Sequence, residues 1–96
     1  MARVYIAGKI SGLPIEEAFI KFRNAELKLL NEGHTVINPM TLRHNHDKTW
    51  ESYMRECVSA ITTVDEVYYL PCWSDSKGAK IELMIAESLN IPTIPM

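Results

Sequence analysis

Residues 64–89 read VDEVYYLPCWSDSKGAKIELMIAESL, and the pattern changes twice along this stretch. Val67, Tyr68, Tyr69 and Leu70 form a short apolar run rich in β-branched and aromatic residues, and Pro71 ends it because proline has no N–H to give to a ladder. A polar turn follows, Ser74-Asp75-Ser76-Lys77-Gly78, with side chains suited to capping a helix. From Ala79 the period becomes helical, with Ala79, Glu82, Leu83 and Ala86 on one stripe. Glu82 is the exception on that stripe, a carboxylate among Ile81, Leu83, Met84, Ile85 and Ala86, where burial without a partner is costly. Two readings of it stand: a partly exposed residue paired with Lys77 or Lys80, or a carboxylate at the carboxyl edge of a parallel sheet, where open α/β folds keep their ligand crevice.

Residues 3–8, RVYIAG, predict a buried first strand, and the loop Gly8-Lys9-Ile10-Ser11-Gly12-Leu13-Pro14 leads to a helix that Pro14 opens. That helix has Ile15, Ala18, Phe19, Phe22, Ala25, Leu29 and Leu30 on its apolar stripe and Glu16, Glu17, Lys21, Arg23 and Lys28 on the other face; Gly33 stops it. His34 to Ile37 predict a second strand. Asn38-Pro39 then starts a connection, MTLRHNHDKT, that has no period and is long for so small a domain, the kind of loop that overhangs a crevice. Thr49 is placed to cap a second helix with Trp50, Tyr53, Met54, Cys57, Val58 and Ile61 inward. Asp65 opens the third strand, Asn90 caps the third helix, and Ile91 to Ile94 make a last short strand in which Pro92 suits an edge.

The order βαβαβαβ with short connections predicts one domain over residues 1–96, a three-layer α/β fold of the Rossmann or flavodoxin kind. Its small parallel sheet has about four strands in the order 2-1-3-4, with right-handed crossover helices on its faces. The order reverses between strands 1 and 3, which brings the Gly8–Gly12 loop beside the Asp75–Glu82 segment.

Composition narrows the function. With 47% hydrophobic and 23% charged residues, the 96-residue chain resembles an ordinary globular domain with a thin core, for which self-association is expected. The net charge is −2 and no basic run stands out, which argues against a nucleic-acid polymer as partner. No apolar stretch reaches the roughly 20 residues of a membrane span, and the opening MARVYIAGKISG lacks a signal-peptide core, so a cytoplasmic protein with no membrane partner is expected. Cys57 and Cys72 form no CxxC and are expected as free thiols.

Several residue groups are candidates for chemistry. Gly8, Lys9, Ile10, Ser11 and Gly12 suit a phosphate cradle, although neither GxGxxG nor GxxxxGK[ST] is present and a simple tight turn fits equally well. His44, His46 and Asp47 read as a solvated loop, since no helical pair or second Cys/His set accompanies them. Cys72 has no neighbour in sequence that would activate it and reads as a structural thiol. Trp50, Tyr53 and Met54 fit core or a dimer surface, and Trp73, after the strand-ending Pro71, fits a stacking platform.

On these residues the chain resembles the nucleoside 2-deoxyribosyltransferase superfamily over nearly its whole length. VYIAGKISG (4–12) resembles that family's first strand and phosphate-side loop, GHTVINP (33–39) its second strand, and VDEVYYLP (64–71) with SKGAKIEL (76–83) its most specific segment. The nearest resemblance is to short phage and bacterial proteins of uncharacterised function, with 2′-deoxynucleoside 5′-phosphate N-hydrolases a second close group. The resemblance implies Glu82 as nucleophile, Tyr5 as its orienting partner and Asp65 as a further catalytic-site aspartate. It implies a substrate site formed by Gly8, Lys9, Ile10, Ser11 and Gly12 on one wall and Trp73, Asp75, Ser76 and Gly78 on the other. Lys80 stands where the family has glycine in G-x-E, putting a side chain two residues before Glu82. The activity implied is an N-glycosidase or deoxyribosyltransferase acting on nucleosides or nucleoside 5′-monophosphates, in a homo-oligomer, with no metal and no cofactor. The alternative is a nucleotide-binding module of the same fold without turnover.

Overall fold

The computed structural model describes residues 2–42 and 49–96. Four strands, β1 (Arg3–Ala7), β2 (Thr35–Ile37), β3 (Glu66–Tyr69) and β4 (Thr93–Pro95), alternate with three helices, α1 (Ile15–Asn31), α2 (Trp50–Ile61) and α3 (Lys77–Ser88). All pairings are parallel and the order is β2-β1-β3-β4, as the alternating pattern predicts. The register sets Val4 against Val36 and Glu66, and Tyr68 against Ile94.

β1 explains the layering. Val4, Tyr5, Ile6 and Ala7 are all fully buried, because the strand has a neighbour on each edge and helices on each face. Alternate side chains enter opposite cores. Tyr5 and Ala7 join Cys57 and Ile61 of α2, Val67 of β3 and Leu83 and Ala86 of α3. Val4 and Ile6 join Phe22, Ala25 and Leu29 of α1 together with Leu70. The sheet therefore has α1 on one face and α2 with α3 on the other.

The differences from expectation have local causes. On α1, Ala18, Phe22, Ala25 and Leu29 are buried, but Ile15, Phe19 and Leu30 of the predicted stripe are exposed. Among the described residues α1 is alone on its face, so no neighbouring helix covers its flanks. The β3 ladder continues by one bond past the strand, with the Leu70 N–H donating to the Ala7 carbonyl, before Pro71 ends it. α3 starts two residues earlier than its apolar stripe, because the Ser76 hydroxyl accepts the Ala79 N–H at 3.1 Å and makes Lys77 the first helical residue. β4 starts later than predicted: Asn90 takes a left-handed φ of 59° and the Ile91 N–H returns to the Ala86 carbonyl, so Ile91 closes the helix instead of starting the strand. Two short 3-10 turns, Pro39–Thr41 and Trp73–Asp75, fall where the sequence shows only aperiodic or polar residues. Among the described residues no helix is long and apolar enough to cross a membrane.

Candidate active site

Parallel pairing aims the ends of β1 and β3 at the same edge of the sheet, where the strand order reverses. The loops leaving these strands part there, and the amino ends of α2 and α3 close the gap. The resulting cavity of about 510 Å³, counted out to its open mouth, has Glu82 and Tyr5 among its lining residues. Gly8, Ile10 and Ser11 form one wall and Asp75, Ser76 and Gly78 another, with Trp50 and Tyr53 of α2 facing them.

Glu82 is 4% exposed, and the Tyr5 hydroxyl donates to its Oε2 at 2.7 Å. Burial pushes the carboxyl up to about 7, against hydrogen bonds from Tyr5 and the Cys57 thiol that favour its charged form. The same burial pushes Tyr5 well above the usual phenol range, with the nearby Glu82 charge adding to it. It raises Cys57 to about 11 and holds Tyr53 above the phenol range as well. Glu82 is thus the one member of this buried cluster that changes charge near neutral pH. At the rim, the Lys77 ammonium lies 4.5 Å from the centroid of the Trp50 ring, a cation–π contact that ties α3 to α2.

Two glycines sit in close packing. A Cβ on Gly8 would lie 2.8 Å from Leu70 Cδ1 and 3.1 Å from Phe22 Cζ, so the end of β1 needs glycine to seat against the α1 core. A Cβ on Gly78 would meet Met54 Sδ at 3.2 Å, where the first turn of α3 crosses α2. Pro39 reaches the cavity from a turn capped by the buried Asn38, whose Oδ1 accepts the Met40 N–H at 2.9 Å.

The structure brings together Glu82, Tyr5, Gly8, Ile10, Ser11, Asp75, Ser76 and Gly78 of the residues named from sequence. It does not bring four others to the cavity. Asp65 precedes β3 and so lies at the amino edge of the sheet, opposite the site, where its carboxylate accepts the Arg3 N–H at 3.0 Å. Trp73 turns away: it packs edge-on against Tyr69 with ring centroids 5.7 Å apart, while Asp75 of the same turn lines the cavity. Lys9 and Gly12 belong to the loop but not to the cavity lining; the Lys9 N–H faces the Cys72 sulfur, and exposed Gly12 supplies a φ of +89° for the turn. Lys80 also leaves the site, lining a separate cleft with Trp73, Leu83 and Glu87 on the other flank of α3. His44, His46 and Asp47 lie outside the described residues.

Sequence reasoning missed Trp50, Tyr53 and Met54 as site residues. The helical period correctly turns them inward, but it cannot distinguish a packed interior from the wall of a cavity. Cys72 is a different case. Burial pushes its thiol up, but the Lys21 ammonium and the Lys9 and Cys72 backbone N–H groups more than reverse this, leaving it below the usual thiol range.

Known proteins place the chain by fold and by family. A solved structure of the 2-deoxyribosyltransferase from the psychrotolerant bacterium Bacillus psychrosaccharolyticus, described as a biocatalyst for synthesis of antiviral and antitumoral nucleosides, superposes with a TM-score of 0.75. The match covers 98% of this chain and 71% of that one at 22% identity, and establishes a deoxyribosyltransferase-like fold. No curated protein matches the chain. Residues 2–94 match the sequence model described as Domain of unknown function (DUF4406), and the chain belongs to that family.

Proposed function

We propose that this protein cleaves the N-glycosidic bond of deoxynucleosides or their 5′-monophosphates, with Glu82 as nucleophile. The observation that carries the reading is a buried carboxylate hydrogen-bonded to a buried tyrosine inside a cavity at the strand-order reversal. Fold similarity to a 2-deoxyribosyltransferase supports the same class of substrate.

In the proposed reaction a Glu82 oxygen attacks C1′ of the sugar through an oxocarbenium-like transition state. The C1′–N bond breaks, its electron pair leaves with the base, and an ester joins the sugar to Glu82. The departing base takes up a proton from solvent through the open mouth of the cavity, which Asp75 also lines. Water or a second base then attacks C1′ and releases the carboxylate. Tyr5 keeps Glu82 aimed, and the wall of Gly8, Ile10 and Ser11 faces the α3 amino end, where Ser76 and Gly78 would receive a 5′-phosphate. We further propose a homo-oligomer, supported by the exposure of Ile15, Phe19 and Ile20 on α1 and of Met84 on α3.

The test is incubation with a panel of deoxynucleosides and deoxynucleoside 5′-monophosphates, following free base by chromatography. Base release is expected from the wild type and lost by at least about 10³-fold in Glu82→Gln, as for other nucleophile deletions. Release that survives Glu82→Gln refutes the assignment. Because the attacking form is the carboxylate, kcat/KM should rise with pH through about 7.

A further inference from the structure

Lys77 is the cation of the cavity that the proposed reaction leaves without a task. It is the first residue of α3, it is exposed, and it lines the cavity together with Ser11, Ser76 and Gly78. Its ammonium rests 4.5 Å from the centroid of the half-buried Trp50 ring. Among the described residues that line the cavity it is the single basic one; the other two charged side chains, Asp75 and Glu82, are acidic.

We propose that Lys77 selects deoxynucleoside 5′-monophosphates over deoxynucleosides, its ammonium leaving the Trp50 ring to pair with the 5′-phosphate. The inference rests on the reading of the cavity as a glycosidic site with Glu82 as nucleophile. Glu82 follows Lys77 by five residues, about 7.5 Å deeper along the α3 axis. Five covalent bonds separate C1′ of a nucleotide from its phosphorus, so a sugar whose C1′ meets Glu82 presents its phosphate near the start of α3, within reach of the lysine stem. An ammonium over an indole face at an exposed position is held weakly, whereas a phosphate offers it negative charge and strong hydrogen-bond acceptors. A nucleoside gives the ammonium no such partner and leaves it on Trp50.

The charge pattern makes this lysine decisive. Without it, Asp75 and Glu82 are the charged side chains that a phosphate meets in the cavity, and like charges at short range oppose its entry. Other lysines do not take its place: Lys9 and Lys80 stand outside the lining, and Lys21 hydrogen-bonds to Cys72. A purely structural Lys77, stacked on Trp50 to join α3 to α2, affects stability but does not distinguish a nucleotide from its nucleoside.

The first measurement is the ratio of kcat/KM for a deoxynucleoside 5′-monophosphate to that for the same deoxynucleoside, in wild type, Lys77→Met and Lys77→Arg. Wild type should favour the monophosphate, and Lys77→Met should lower the ratio about 10- to 100-fold, the loss of one charge-assisted contact. Lys77→Arg, which keeps a cation, should restore most of it. A ratio unchanged in Lys77→Met overturns the proposal, as does a wild type that favours the nucleoside. The second measurement needs no turnover. In a Trp73→Phe background Trp50 is the remaining tryptophan, and its fluorescence is followed while 2-deoxyribose 5-phosphate or 2-deoxyribose is added. The sugar phosphate should change the emission saturably and 2-deoxyribose should not, and Lys77→Met should need at least about tenfold more sugar phosphate for the same response. No response to the sugar phosphate, an equal response to both sugars, or an affinity unchanged in Lys77→Met overturns the proposal. Failure of the functional reading looks different: wild type releases no base, while binding of the sugar phosphate still depends on Lys77. Base release with a ratio indifferent to Lys77→Met leaves that reading standing and removes the selection alone.

Discussion

Glu82 couples the site to stability. Its carboxyl moves from an ordinary 4.5 to about 7 in the folded chain, so between those values the native state retains a proton that the unfolded state has released. The contribution is fully present below about 4.5 and is lost as pH rises through about 7, amounting to no more than about 3 kcal/mol. Urea unfolding at pH 5 and pH 8 should show wild type losing stability across that interval relative to Glu82→Gln, which has no proton to lose. The two thiols should also separate. Iodoacetamide at about pH 7.5 should alkylate half-buried Cys72 first, more slowly in Lys21→Met, and reach fully buried Cys57 only on unfolding. Glu82 was legible because a carboxylate interrupts an apolar stripe. Trp50 and Tyr53 were not, because an aromatic on an apolar helical stripe reads as packed core.

Elements carry the next set of consequences. The α3 amino end forms a cavity wall and depends on the Ser76 cap, so Ser76→Ala should lower unfolding free energy by about 1 kcal/mol and raise KM for a 5′-monophosphate. Gly8→Ala forces a methyl group into Leu70 and Phe22, and should destabilise by about 1–3 kcal/mol in a denaturant titration. Strand and helix order followed from the alternation of period along the chain, and Pro71, Gly33 and Asn90 each marked a boundary correctly. The turn Trp73–Asp75 did not announce itself, and with it went the direction of Trp73. Asp65 shows a different gap: a motif can place a residue beside a strand, but only the polarity of that strand tells which edge of the sheet it reaches.

The molecule as a whole is a small parallel sheet whose best-buried strand is its first, and its site lies where two halves of that sheet diverge. Saturating deoxynucleoside 5′-monophosphate, at about 100 times its Kd, should stabilise the fold by about 2.7 kcal/mol and raise the melting temperature by several degrees. Sedimentation velocity should give more than one chain per particle, and Phe19→Glu tests whether α1 supplies the contact. The central place of β1 also bears on how the chain is made. Val4 finds its partner Glu66 only after 62 further residues (66 − 4) have been added. At about 5–20 residues per second on a ribosome, the segment VYIA spends about 3–12 s with one edge uncovered. A nascent chain halted before β3 should therefore be the sticky, chaperone-seeking form of this protein, and folding during synthesis has to wait until β3 has emerged from the ribosome.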